Sequence, residues 1–133
     1  MAEPELRTGK LCYVEIPSTD PHESADFYER AFGWRIRSRE TDQPSFDDTT
    51  GQVSGTFVRD RAPAVESGFM LHIMVADAAD AASAVIAAGG ETVFPVGNYG
   101  GETLARFRDP SGNVMGIYQQ PGLAEMESKR ASE

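Results

Sequence analysis

Residues 107–118 read Phe-Arg-Asp-Pro-Ser-Gly-Asn-Val-Met-Gly-Ile-Tyr, two apolar runs separated by a cluster of turn-forming residues. Pro110 fixes a backbone angle that suits a turn, and Gly112 and Asn113 tolerate a left-handed conformation. The stretch therefore predicts a β-hairpin whose second strand alternates large and small side chains.

The same pattern occurs 61 positions earlier, where residues 51–57 read Gly-Gln-Val-Ser-Gly-Thr-Phe. The preceding segments match at a shift of 57, which places Asp20 on Asp77 and Gly33 on Gly90. Two copies of one unit explain both matches. Each copy predicts a strand, a helix and three further strands.

Composition limits the class of protein. The chain has 133 residues, 40% hydrophobic and 25% charged, which is typical of one soluble globular domain. Its net charge of −9 disfavours nucleic acid and anionic membrane surfaces as partners. No apolar run is long enough to span a bilayer, and the first residues do not resemble a signal peptide. A single cysteine, Cys12, excludes an internal disulfide. We expect a cytoplasmic protein.

Both predicted helices have clear ends. Asp20 and Asp77 are suited to cap the first turns, and glycines at 33 and 89–90 are suited to end the helices. The other predicted elements are strands over 11–17, 34–39, 45–49, 52–59, 69–75, 92–96 and 103–108, and a last strand that follows the turn and ends at Pro121. A linker is predicted over 60–67 and a glycine-dense loop over 97–101, in which Tyr99 is available to cover a pocket.

Strand alternation separates a face that packs on the helices from a second face that carries the candidate site. In the strand over 11–17, Val14 and Ile16 belong to the helix side, whereas Glu15 points away from it. Glu15 and His72 are equivalent in the two copies. They could form an acid–base pair or bind a displaced metal, or they could be a hydrogen-bonded pair or two separately solvated residues.

Arg106 alternates with buried-type neighbours and is also predicted to lie on the site face. Its guanidinium suits a carboxylate or phosphate, but an ion pair with one of the chain's many acidic residues is the more common role of such an arginine. The predicted apolar walls of the pocket are Tyr13, Trp34, Phe57, Met70, Met74 and Tyr118, and some of these are alternatively core or dimer contacts.

In this order and spacing, the motifs resemble the vicinal oxygen chelate superfamily, which includes glyoxalase I, bleomycin-resistance proteins and extradiol dioxygenases. The motifs that carry the resemblance are residues 14–17 followed by Asp20-Pro21, then residues 27–34, 87–90 and 107–113. The resemblance implies a single α+β domain over about residues 10–120. Two β-α-β-β-β repeats, about 10–59 and 68–120, would form a mixed sheet curled around a cleft with the helices outside. Residues 1–9 and 121–133 would be flexible ends.

The resemblance also implies a divalent metal bound by one residue from each outer strand. The familiar set of two histidines and two glutamates suits Zn²⁺, Ni²⁺ or Fe²⁺. Carried over by alignment, the four positions are Tyr13, Gly55, Met70 and Gly116. Glycine has no ligand atom, a thioether binds hard cations poorly, and a phenol must first lose its proton. We therefore expect no metal at this position and no other cofactor.

Three functions are compatible with the sequence. The first is a protein that binds a small aromatic or amphipathic molecule without a metal, in a cleft between the subunits of a homodimer, as the bleomycin-resistance branch suggests. The second is a lyase, isomerase or dioxygenase-like enzyme that uses Glu15 and His72, with or without a displaced metal. The third is a protein-interaction module with no small ligand. The missing metal ligands and the negative charge favour the first.

Overall fold

The computed structural model describes residues 4–65 and 68–132. Residues 1–3, 66–67 and 133, which belong to the predicted flexible ends and linker, lie outside the described residues. In chain order the elements are β1 (Tyr13–Pro17), α1 (Pro21–Phe32), β2 (Arg35–Arg37), β3 (Ser45–Asp47), β4 (Ser54–Val58), β5 (His72–Val75), α2 (Ala78–Ala87), β6 (Glu91–Tyr99), β7 (Glu102–Arg108), β8 (Val114–Gln119) and α3 (Leu123–Ala131).

Each repeat forms its own four-stranded mixed sheet. The first sheet has the order β1-β4-β3-β2 and the second has the order β5-β8-β7-β6. In both sheets the first strand of the repeat runs parallel to the last, and the other neighbours are antiparallel. The identical topology confirms the predicted α+β fold of tandem β-α-β-β-β units.

One hydrophobic core lies between the two sheets. Phe27 of α1 lies 5.9 Å from Phe107 of the second sheet, and Tyr28 of α1 lies 5.9 Å from Phe57 of the first sheet, both measured between ring centroids. The helix α1 also contacts α2. Each sheet therefore has an inner face on this shared core, and the opposite face, called its open face below, lies on the far side.

The predicted helix starts and the end of α1 are confirmed. The carboxylate of Asp20 accepts hydrogen bonds from two first-turn N–H groups of α1, and Asp77 accepts one in α2. The helix α1 ends at Gly33, whose φ of 74° is a left-handed conformation that glycine adopts without strain.

The turn over residues 109–113 forms the polar joint between the two repeats, a set of buried hydrogen bonds. Asp109 is 3% exposed and accepts hydrogen bonds from the Tyr28 hydroxyl and from the backbone and side-chain N–H groups of Asn113. Asn113 also donates to the Pro17 carbonyl and accepts from the Ala64 N–H, so one side chain ties β1, the linker and the turn together. Burial, followed by the charge of Asp109 and its hydrogen bond, raises the pKa of Tyr28 well above its usual value.

Two predicted irregular segments are in fact regular. The predicted loop over 97–101 is wrong, because β6 continues to Tyr99 and only Gly100 and Gly101, both with positive φ, form the turn. The tail was predicted to lack structure, yet it contains α3, which has no buried residue. The strand predicted over 69–75 is shorter and spans His72–Val75.

Candidate ligand-binding face

The open face of the first sheet is polar. Cross-strand pairing places Ser54 between Tyr13 and Asp47. Arg37 donates two hydrogen bonds to Asp47, at 3.1 and 3.0 Å, and the Ser54 hydroxyl donates a third at 2.7 Å. Partial burial acts to raise the pKa of Asp47, but the bonds from Ser54 and Arg37 outweigh it and lower the pKa below its usual value. The charged and polar side chains of this face thus bind one another.

Glu15 lies on the same face and is also paired with an opposite charge. Its carboxylate forms an ion pair with Arg61, a residue of the predicted linker. Because Glu15 and His72 lie on the open faces of two different sheets, with the core between those sheets, the structure does not bring them together in one chain. The sequence offered no signal for Arg61, since a charged residue in a linker is ordinarily solvated.

The open face of the second sheet combines apolar and aromatic side chains with a histidine and two arginines. Met74 is 58% exposed and pairs with Tyr118, which in turn pairs with Leu104. His72, Gly116 and Arg106 form the adjacent row across the sheet, and Phe94 continues that row on β6. The predicted site residues Met74, His72, Arg106 and Tyr118 therefore share one surface.

Gly116 makes a hollow in this surface, and the ring of His72 lies in it. A Cβ built on Gly116 would lie 2.2 Å from Nδ1 of His72 and 2.4 Å from its Cε1. No side chain at position 116 can coexist with this orientation of the imidazole. The absence of a side chain at Gly116 is thus a condition for the position of His72.

Arg106 is held against aromatic side chains. Its guanidinium carbon lies 5.1 Å from the centroid of Phe94, a cation–π contact. The ring of Tyr99 lies 4.6 Å from Phe94 and packs over Gly97, where a Cβ would approach the Tyr99 hydroxyl to 3.1 Å. Phe94 was missed at the sequence level because a bulged strand hides its alternation. The idea that Tyr99 covers a pocket from a mobile loop fails, because Tyr99 is part of β6.

The predicted placement of Phe57 and Trp34 on the site face is wrong. The ring of Phe57 is 1% exposed and packs against Tyr28 and Phe46 in the core, and Trp34 stacks on the same two rings. Gly55, a neighbour of Phe57 on β4, also lies on the inner face, where a Cβ would approach the Val14 carbonyl oxygen to 2.1 Å.

The error at Phe57 has a simple cause in the register. Glu15 pairs with Thr56 in the first sheet, as its repeat equivalent His72 pairs with Gly116 in the second. The equivalent of Gly116 is therefore Thr56, and the two last strands match at a shift of 60 rather than 61. Matching glycine to glycine moved β4 by one residue, which exchanges its two faces.

The residues do not fit the metal that the resemblance implies. The four corresponding positions are now Tyr13, Thr56, Met70 and Gly116, and none of them carries a carboxylate or an imidazole. In the part of the chain that the structure describes, no group of three histidine, cysteine, aspartate or glutamate residues is arranged to hold a metal ion. Met70 is half-buried just before β5 and Tyr13 is 55% exposed at the start of β1.

A protein-family model described as "Glyoxalase-like domain" matches residues 13–118. A search of curated protein sequences gives no significant match. Within the described residues, no helix combines the length and apolar character needed to cross a membrane.

Solved structures share the fold at low sequence identity. A member of the glyoxalase/bleomycin resistance protein/dioxygenase superfamily from Sphaerobacter thermophilus has a TM-score of 0.70 at 16% identity, covering 86% of this chain and 100% of its own. A family enzyme from Burkholderia phytofirmans has a TM-score of 0.67 at 20% identity, covering 82% and 97%. TnmS3, an antibiotic-binding protein from a Streptomyces species, has a TM-score of 0.65 at 17% identity, covering 86% and 98%.

Proposed function

Because the chain belongs to the family of glyoxalase-like domains, we propose that it binds a small aromatic or amphipathic molecule without a metal, on the open face of the second sheet. Membership also confirms the resemblance to the vicinal oxygen chelate superfamily. The observation that carries the proposal is the character of this face, on which a half-exposed methionine, Met74, adjoins aromatic rings and an oriented arginine. That TnmS3 binds an antibiotic on a similar fold is compatible with this function.

An aromatic ligand would lie against the apolar part of this face. Covering about 150 Å² of apolar surface contributes roughly 4 kcal/mol before the cost of immobilising the ligand. Methionine adapts its flexible side chain to guests of different shape, and its sulfur makes favourable contacts with aromatic rings. Met74, Tyr118 and Phe94 therefore form the apolar wall, with Met70 and Tyr13 as flanking candidates.

A second copy of the chain would complete the site. Exposed apolar side chains lie at the start of the first strand of each repeat, with Leu11 84%, Tyr13 55% and Leu71 42% exposed. Because the two open faces of one chain point away from their common core, a cleft between a first-sheet face and a second-sheet face requires two chains. We propose a twofold homodimer, the usual closed arrangement, in the cytoplasm. Sedimentation velocity that shows only monomer at tens of micromolar contradicts the dimer.

The binding proposal is tested with Nile red, a neutral aromatic dye whose fluorescence rises in an apolar site. We expect saturable binding by the native protein and at least about tenfold weaker binding by Met74→Glu, because the buried charge must be desolvated. Ile86→Glu is the matched control, since Ile86 is 60% exposed on α2, away from both open faces. Equal loss in both variants, or no binding at all, contradicts the proposal.

The enzyme hypothesis is less well supported. Its acid–base pair requires Glu15 and His72 from different chains, and it requires Glu15 to leave its ion pair with Arg61. The interaction-module hypothesis gains support only if Nile red and other aromatic molecules fail to bind while the dimer forms.

A further inference from the structure

Resting on the proposed binding function, we propose that the ligand is a flat aromatic molecule of two or three fused rings that stacks on the side chains of His72 and Tyr99. Each of these side chains covers a glycine on the open face of the second sheet. The ring of His72 covers Gly116 on β8, and the ring of Tyr99 covers a glycine on β6, Gly97. The two glycines lie in neighbouring rows of this face.

The Tyr99 ring turns its face, and not its edge, toward the sheet. A Cβ built on Gly97 would lie 3.1 Å from Oη, 3.2 Å from Cε2 and 3.2 Å from Cζ of Tyr99. Because Cζ is bonded to both of the other atoms, an approach in the plane of the ring would leave Cζ clearly nearer or clearly farther than they are. Three nearly equal distances therefore place the Cβ position above the face of the ring.

The ring of His72 has the same orientation on Gly116. The Cβ position of Gly116 lies 2.2 Å from Nδ1, 2.4 Å from Cε1 and 3.0 Å from Cγ of the imidazole. Nδ1 is bonded to both carbons, so these distances again fit a position above the ring rather than beside its edge. His72 is exposed and Tyr99 is half-buried, so both rings keep surface that is accessible to a guest.

Contacts within β6 fix the Tyr99 ring before any ligand binds. Its hydroxyl donates a hydrogen bond to the Pro95 carbonyl oxygen at 2.9 Å, and its centroid lies 4.6 Å from that of Phe94. Gly97 leaves the space that this folded-back position needs, because a Cβ there would press on the ring. A ring that is already ordered loses little conformational entropy on binding, so the stacking energy is retained as affinity.

The distance between the two rings indicates the size of the ligand. Gly97 and Gly116 lie on strands that are separated by β7, so two strand spacings, about 10 Å, lie between them. One benzene ring does not bridge this distance, whereas two or three fused rings do. Leu104 and Tyr118 continue the row of Gly97 toward β5 and provide an apolar floor.

The expected flatness of the ligand follows from the energetics of stacking. Two aromatic rings in offset contact attract each other beyond the effect of apolar burial alone. A saturated molecule with the same carbon skeleton is puckered and carries hydrogens on both faces, so it gains only the contribution of burial. The site should therefore discriminate between flat and puckered molecules of equal skeleton.

The experiment compares two such probes, 2-naphthylmethanol and its saturated analogue decahydro-2-naphthylmethanol, by calorimetry and by displacement of Nile red. We expect the native protein to bind the naphthyl compound at least about tenfold more tightly. Equal or reversed affinities, or Nile red that neither probe displaces, overturn this inference and leave the binding function standing. If neither the probes nor Nile red bind, the inference and the proposed function are both overturned.

Replacement of either ring should reduce the preference for the naphthyl compound. Tyr99→Leu and His72→Leu keep an apolar side chain but no aromatic face, so each is expected to lower the preference to about threefold or less. Tyr99→Phe retains the ring and should retain most of the preference. His22→Leu, which changes the only other histidine of the chain, in the first turn of α1, is the matched control and should leave it unchanged. A full preference in either leucine variant contradicts the inference.

A double-mutant cycle tests the position of the imidazole. Gly116→Ala is expected to displace the ring, because the added Cβ would lie 2.2 Å from Nδ1, and thus to lower the naphthyl preference. In a His72→Ala background the same substitution should cause no further loss, because the ring is already gone. Additive losses contradict the stacking of His72 on Gly116. If Gly116→Ala does not fold, a full naphthyl preference in His72→Ala alone overturns the assignment.

Discussion

The two repeats have the same topology but open faces of opposite character. On the first sheet, Asp47 binds Arg37 and Ser54, and Glu15 binds Arg61, so the charged groups are already paired. On the second sheet, the same surface presents apolar and aromatic groups around a glycine hollow. Duplication therefore supplied two scaffolds of one topology whose open faces carry different side chains.

The two glycines that align in sequence illustrate this difference. Gly55 lies on the inner face, where a Cβ would collide with backbone, the Val14 carbonyl oxygen, and with the ring of Phe46. Gly116 lies on the open face, where the three atoms nearest to an added Cβ all belong to the exposed side chain of His72. The first glycine is needed for packing and the second for the shape of the site.

The largest expected effect is the difference in stability between alanine substitutions at these two glycines. Gly55→Ala should lower the free energy of unfolding by about 3 kcal/mol or prevent folding, because neither backbone nor a buried ring can move aside cheaply. Gly116→Ala should change stability by less than about 1 kcal/mol, because an exposed ring can rotate away. Urea denaturation measures both. Similar losses would show that the assigned faces are wrong.

The next largest effect is the difference in stability between alanine substitutions of the turn aspartates of the two repeats. Asp109 is buried at the joint, whereas Asp48 accepts its hydrogen bonds within a partly exposed turn. Asp109→Ala should cost about 2–3 kcal/mol, since it leaves Tyr28 and Asn113 with unsatisfied donors. Asp48→Ala should cost about 1 kcal/mol or less, because water replaces the lost acceptor. Equal costs in chemical denaturation would mean that the joint is no more important than a surface turn.

The third effect is a loss of stability at alkaline pH, which is expected from Tyr28 in α1 and has no counterpart in α2. The folded protein keeps the Tyr28 proton above the usual pKa, whereas the unfolded chain releases it from about pH 10 upward. Stability is therefore fully present below about pH 10 and falls as pH rises, by at most about 1.4 kcal/mol per pH unit from this group. Tyr28→Phe should be less stable at neutral pH but lose this part of the alkaline slope. Val85→Ala in α2 serves as the control, and an unchanged slope in Tyr28→Phe contradicts the assignment.

The smallest effect concerns the first open face. Arg37→Met should cost less than about 1 kcal/mol, because much of Arg37 remains in solvent and salt screens the pair. The folded pKa of Asp47 is lowered, so its contribution is present near neutral pH and is lost as pH falls through the usual aspartate range and below. Acid denaturation of Arg37→Met, at low and high salt, checks this. A salt-independent loss of several kcal/mol would show a buried pair instead.

Local signals predicted most of the fold. The aspartate caps, the glycine at the end of α1 and the alternation of β1 and β5 depend on neighbours a few residues away, and all were confirmed. Position 106 was also assigned to the correct face, since Ala105 and Phe107 are both buried. Phe57 was assigned to the wrong face, because matching Gly55 to Gly116 moved β4 by one residue.

The sequence by itself determined the duplication, the two aspartate-capped helices and the polar turn, because these depend on residue type and short-range geometry. Only the tertiary structure decided which faces meet the shared core, that Glu15 pairs with Arg61, and that the His72 ring fills the hollow at Gly116. These contacts join residues more than 40 positions apart. They depend on strand register and on the packing of both helices, and no local pattern specifies either.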